Sequence, residues 1–181
     1  MSQYYYAVSS LPFLDFESVP LLTISEFIDI CRSTLTEKDF EILNSLNLDG
    51  IKDSDSSLPL LKKWVSWEGT LRNEIVRLRA DSLDMEAETY LYAVESNTEA
   101  PGLAGNAYKL DSPLLAEESL DRSRWQFLDE LESGHYFDLE KLIVYLLRLK
   151  ILERRTTFTI EKGNENFQKI YENIKESVRE A

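Results

Sequence analysis

FDLEKLIVYLLRLKILERR, Phe137 to Arg155, decides the fold of this chain. Asp138 is placed to cap a first turn, and Leu139, Leu142, Ile143, Leu146, Leu149 and Leu152 recur at helical spacing, so the stretch reads as a long amphipathic helix. Its apolar face must be buried against other elements. The best partner is Leu58 to Ala80, where Pro59 suits a first turn and Leu60, Trp64, Trp67, Leu71, Ile75 and Leu78 form a second stripe. Upstream of the central helix, Ser112-Pro113 starts another, with Leu114, Leu115, Trp125, Leu128 and Leu131 on its apolar side and Gly134 placed to end it in a left-handed cap. The short connection to Asp138 makes these two helices a hairpin.

Shorter elements lie outward from this pair. Tyr4 to Val8 reads either as a short strand or as a helical turn. Leu22-Thr23-Ile24-Ser25-Glu26-Phe27 is echoed by Leu35-Thr36-Glu37-Lys38-Asp39-Phe40. In each, Thr can cap, an acid three residues on approaches a capping box, and Leu can staple to Phe. Helices are therefore expected from about Ile24 and Glu37, burying Phe27, Ile28 and Cys31, then Phe40, Leu43 and Leu46. Residues 47–57 read as a solvated loop. Its Asp49, Asp53 and Asp55 lack the spaced Gly and distal Glu of a calcium loop.

A helix is expected over Leu83 to Val94, with Leu83, Ala87, Tyr90, Leu91 and Val94 inward. Residues 96–107, with Pro101, Gly102 and Gly105, are expected to bend the chain between halves 1–95 and 108–181 of a single domain. Thr156 to Ile160 reads as a short extended piece. Asn164 can cap a last helix that buries Phe167, Ile170, Ile174 and Val178. The fold class expected is all-α, with about six to eight helices and room for one very short strand pair. Gly69, inside the tryptophan-bearing helix, is expected to mark a close helix crossing.

Composition narrows the function classes. The 181 residues suffice for one packed core, and a net charge of -13 disfavours nucleic acid and anionic lipid while favouring a basic partner. One cysteine, Cys31, rules out an internal disulfide and suggests the cytoplasm. The longest apolar run in the central helix, Leu142 to Leu147, is far shorter than the roughly 20 residues of a membrane span. Contact with a membrane would run through another protein.

The glycines form no phosphate-cradling motif. Glu132 and His135 have a Glu-x-x-His spacing, but His135 is the only histidine and a di-iron bundle needs a second such motif, so it reads as a turn or C-cap residue. Cys31 sits among Ile28 and Ile30 and reads as core, as do Trp64, Trp67 and Trp125. No nucleophile and base pair up, so the chain reads as a non-enzyme without catalytic residues, metal or cofactor. Two cationic sets are candidate partner-binding residues: Arg72, Arg77 and Arg79 on the tryptophan-bearing helix, and Arg148, Lys150, Arg154 and Arg155 on the central one. The alternative for the second set is a favourable placement of cations at a helix C-terminus.

Several stretches carry a family likeness. Trp67-Glu68 followed by Leu71-Arg72-Asn73-Glu74 and Arg77-Leu78-Arg79-Ala80, with Tyr4 to Leu14 and Leu131 to Phe137 leading into Tyr145 and Leu149 to Arg154, resemble the small proteins encoded in bacterial V-type ATPase operons. More weakly, the chain is similar to the rotor-cap protein of V-type ATPases, whose helical repeats have a Tyr-rich start. The resemblance implies a helical, non-catalytic accessory or connecting subunit between the membrane rotor ring and the central stalk, peripheral at the inner face of the cell membrane through the ATPase. Its partners would be V-type ATPase subunits, and an assembly factor or regulator would fit the same operon.

Overall fold

The computed structural model describes residues 3–48, 58–95, 98, 100–158, 168–172 and 175. They form an all-α fold. Seven α-helices run α1 Gln3–Ser10, α2 Ile24–Thr34, α3 Glu37–Ser45, α4 Pro59–Ser82, α5 Ala100–Tyr108, α6 Pro113–Glu132 and α7 Leu139–Thr156, with a 3-10 turn at Glu88–Tyr90. There is no strand among the described residues.

The expected caps form. Thr23 and Glu26 make a reciprocal capping box at α2, Thr36 accepts from the Asp39 amide at α3, and Asp138 accepts from the Lys141 amide at α7. Gly134, at φ +91°, follows the end of α6 in the left-handed region. Tyr4 to Val8 lies in helix α1, which settles the open choice there.

α7 is buried on more than one face. Besides the six predicted positions, Val144, Tyr145, Leu147 and Ile151 are buried, because α1, α2, α3 and α6 all pack around this helix. Each such side chain stabilises the fold by about 1.5–3 kcal/mol relative to exposure. On the other side α6 meets α5, and α5 meets α4 through Ala100, Ala104 and Ala107, whose small side chains permit a close approach. Trp67 stacks on Phe127 of α6 with ring centroids 4.7 Å apart, and Trp64 stacks on Trp67 at 6.0 Å.

Four expectations are corrected. Residues 83–94 do not form an α-helix: beyond the 3-10 turn they are non-helical, and Leu83 is 67% exposed. The reason lies on α4. Asn73 bonds both the amide (2.8 Å) and the carbonyl (2.9 Å) of Tyr92, and the Ser66 and Thr70 hydroxyls donate to the Glu95 carbonyl at 2.8 and 3.2 Å. A ladder of small polar side chains thus pairs backbone groups that a helix would have paired internally. Second, Gly69 faces this strap rather than another helix, and a Cβ there would lie 2.6 Å from Cγ1 of Val94. Third, the expected bend is helical from Ala100 onward, because Pro101 sits in the first turn, where its missing N–H costs nothing. Fourth, Leu114 and Leu115 are exposed, in the first turn of α6 beyond the core.

Residues 49–57, 159–160, Asn164, Phe167, Ile174 and Val178, on which further expectations fell, lie outside the described residues. Ile170 is described and exposed.

The strap gives a first prediction. Gly69→Ala should push Val94 away and speed amide exchange at Tyr92 by at least about tenfold, because its bond to Asn73 opens with the strap. Global stability should change by no more than about 1 kcal/mol, since the alanine favours the helix as the contact opposes it. Unchanged protection at Tyr92 would contradict this reading.

Candidate functional site

The cations at the end of α7 turn inward. Lys150 donates to the Leu46 carbonyl at 2.5 Å, where α3 ends and a positive charge suits the helix dipole. Arg155 donates to the Phe16 carbonyl, with its guanidinium 3.9 Å from the centre of the Phe16 ring. Arg154 pairs with Asp121. Arg148 pairs with Asp129 and, at 2.7 Å, with Glu132, while covering the Trp125 ring. Other polar groups of α7 do the same: the Tyr145 hydroxyl donates to the Pro12 carbonyl at 3.0 Å, and the Glu153 carboxylate accepts from the Ile24 amide at 2.8 Å. The polar side chains of α7 thereby fasten α2, α3 and the segment after α1 to the hub.

Glu132 makes one consequence measurable. Burial would push its carboxyl up, but hydrogen bonds from Lys141 and Arg148 outweigh burial and hold it below the ordinary 4.5. A depressed carboxyl stabilises the fold above its unfolded-state value, and that stability is lost as pH falls through the lower folded value. Glu132→Gln should therefore destabilise the protein at neutral pH and flatten the decline of stability below about pH 4.5. Urea unfolding followed from pH 7 to 3 measures it, and parallel curves for the two proteins would count against the pairing.

On α4 the predicted cations divide. Arg72 donates to Glu68 at 2.7 Å, Arg77 pairs with Glu74, and Arg79 is exposed in the last turn. Glu68 is wholly buried. It also receives Arg124 of α6 in a two-point bond, Nε at 2.9 Å and Nη2 at 3.0 Å, and the remaining arm of Arg124 reaches Asp121 at 3.0 Å. Burial opposes the charge on Arg124, but Glu68 beside it more than offsets this and raises its pKa. For Asp121, burial prevails over Arg154 and Arg124, and the carboxyl lies above its usual range. A chain of five charged groups, Arg72, Glu68, Arg124, Asp121 and Arg154, thus ties α4, α6 and α7 together.

Cys31 is fully buried in α2, and burial pushes its thiol up to about 12, far from a nucleophile at neutral pH. His135 bonds Asp138 at 2.7 Å and lies, with Glu140, in a group whose ligand atoms fall within 4.8 Å of one another. Those distances would admit a cation. Both Asp138 oxygens are already engaged, however, one by His135 and one by the Lys141 amide, at a helix N-terminus whose dipole repels positive charge. Glu132 is held by Lys141 and Arg148 and so completes no Glu-x-x-His site.

Beside this turn lies a surface that a reading of charges and ligand spacings does not reveal. Tyr6 is 68% exposed, Tyr5 49%, Tyr136 71% and Phe137 48%. Tyr5 meets Phe137 across the two elements with centroids 5.0 Å apart, and Tyr6 stands edge-on to Tyr5 at 6.2 Å. The three tyrosines at positions 4 to 6 are its visible signal: on one helical turn Tyr4 turns inward to Asp39 at 2.7 Å while its neighbours face solvent. Four large rings left in water at the junction of α1 and the α6–α7 turn are the pattern of an interaction surface.

The family described as a protein of unknown function, DUF2764, matches residues 1–50 and 106–178, more than half of the chain. The four rings lie within the matched residues, whereas α4 lies outside them. No curated protein and no solved structure matches.

Proposed function

We infer that this chain, which belongs to the DUF2764 family, acts as a non-catalytic accessory or connecting subunit of a bacterial V-type ATPase, held to the rotor ring or central stalk by protein contacts. The observation that carries a contact role is the aromatic face of Tyr5, Tyr6, Tyr136 and Phe137 on a bundle whose buried charges pair with one another. The ATPase assignment is supported by the resemblance of Trp67 to Ala80, Tyr4 to Leu14 and Leu131 to Arg154 to proteins of such operons.

Shape and surface chemistry suit this work. Rings are strong anchors because they offer large apolar area at low entropic cost, and α7 holds the turn that bears two of them by its Asp138 cap. Among the described residues no helix is long and apolar enough to cross a membrane, and the reading rests attachment to the ring on protein contacts.

Deleting the gene in its host and assaying the membranes tests the reading. Loss of coupled ion pumping, with an incomplete complex, is the expected result. A fully assembled and pumping complex without this protein would overturn it. Recovery of the protein only with assembly intermediates would identify the transient assembly factor that the same operon could encode.

A further inference from the structure

We propose that the cleft between the segment after α1, the first turns of α6 and the end of α7 binds a small neutral molecule that carries a hydroxyl on an apolar body. The cleft shares no residue with the aromatic face, and the proposal does not depend on the ATPase reading. Three observations carry it. The first is the cavity itself, about 300 Å³, lined by Val19, Leu114, Leu152 and Phe158 together with the wholly buried Asp121. This is the lower end of the size range of ligand pockets. Val19, Leu114 and Phe158 are exposed, so an occupant with an apolar body would take apolar surface out of water.

The second is a pair of polar atoms left over in one ion pair. Arg154 meets Asp121 through Nη2 and Oδ1, and Arg124 donates to the same Oδ1 at 3.0 Å. Oδ2 of Asp121 and Nε of Arg154 are both buried, and among the described residues neither has a hydrogen-bond partner. Buried polar atoms of folded proteins are nearly all paired, so two orphans on the two halves of one pair, beside a cavity, call for a partner. One is an acceptor and the other a donor, and a hydroxyl is both. Burial holds the Asp121 carboxyl above its usual range, and a hydroxyl serves its neutral form as well, by accepting where it would otherwise donate.

The third concerns charge. The acids at the rim are already matched: Glu17 by Arg122 at 2.6 Å, and Glu118 by Arg122 at 3.5 Å and Arg155 at 3.8 Å. The Ser18 and Thr156 hydroxyls donate to the Asp15 and Glu153 carbonyls at 3.1 and 2.7 Å. A charged ligand would have to displace one of these partners, whereas a neutral one leaves them in place. Water alone would meet the polar atoms but leave the apolar wall wet. A protein surface would cover the rim, while Asp121 is met only by a group that enters the cavity.

The test titrates the full chain, labelled with nitrogen-15, with four probes that differ in one group: benzyl alcohol, toluene, benzylammonium and benzoate. Benzyl alcohol should shift the amide signals of Val19, Leu114, Asp121 and Thr156 and leave those of Tyr5 and Phe137 in place. It should bind at least about tenfold tighter than toluene, which leaves Oδ2 unpaired, and than either ion. Leu114→Trp, at an exposed position on the cavity wall, should fill the cavity and weaken benzyl alcohol at least about tenfold with an unchanged melting curve. Equal binding of toluene and benzyl alcohol would mean that the polar pair plays no part, and would overturn the proposal. So would tighter binding of benzylammonium or benzoate, full affinity in Leu114→Trp, or no response at the cleft amides up to the solubility of the alcohol.

Discussion

Arg124→Met is expected to destabilise the protein by about 3–5 kcal/mol, the largest effect of any single change on the polar groups. The methionine fills much of the volume but leaves Glu68 and Asp121, both wholly buried, without their shared cation. Glu68 keeps Arg72, which is partly exposed and can follow it only to one oxygen. Asp121 keeps Arg154. An uncompensated buried carboxylate costs far more than the intact pair contributes, so the second variant is the informative one. Glu68→Met/Arg124→Met removes both charges and should recover much of the loss, because the apolar pair has no desolvation to offset. Urea unfolding measures both. A loss below about 1 kcal/mol for Arg124→Met would show that the α4–α6 contact rests on packing alone.

Trp67→Ala should cost a similar 3–5 kcal/mol by a different route. Trp67 is buried against both Trp64 and Phe127, stacked on the latter at an interplanar angle of 8°. Removing it leaves a cavity that the helices cannot close, since α4 is also fixed to α6 by the Arg124 bonds one residue along. The total stability of a domain is only about 5–15 kcal/mol, so this variant should unfold at markedly lower urea and lose the near-ultraviolet signal of the tryptophan stack. An unchanged midpoint would mean that the stack is not what joins the α4 side of the bundle to α6.

These two changes mark what is legible in the chain and what is not. α7 is legible because its start and its apolar period are local: Asp138 caps it, Gly134 ends the helix before it, and six apolar positions keep its spacing. Helices α2 and α3 are legible for the same reason, through Thr23 and Thr36. Residues 83–94 mislead because Leu83, Ala87, Tyr90, Leu91 and Val94 keep a helical spacing. What prevents the helix, the row of Ser66, Thr70 and Asn73, is a property of another element 19 to 29 residues away. Leu114 and Leu115 mislead likewise, since apolar identity does not say whether a neighbour is present.

The charged groups are the hardest to read. Glu68 is visible locally only as a same-helix partner of Arg72, and Arg124 only as a same-helix partner of Asp121, and neither spacing says that these groups are buried. A signal is there: Leu120, Arg124, Leu128 and Leu131 share one helical face, so an arginine stands where the period calls for an apolar residue. A cation in a buried stripe demands an anion on the facing helix. The α7 cations are legible as charges, but their partners, the Phe16 and Leu46 carbonyls and Asp121, are fixed by the tertiary fold.

One measurement bears most directly on a contact role within the ATPase. The chromosomal gene would be tagged, the V-type ATPase purified from membranes at native expression, and this protein quantified against the catalytic subunits, in the wild type and in Tyr6→Ser/Tyr136→Ser. The expected result is about one copy per complex in the wild type and loss of the double variant from the complex despite normal abundance and an unchanged melting curve. A wild-type protein that carries no ATPase subunit, or a double variant that stays in full amount, would contradict it.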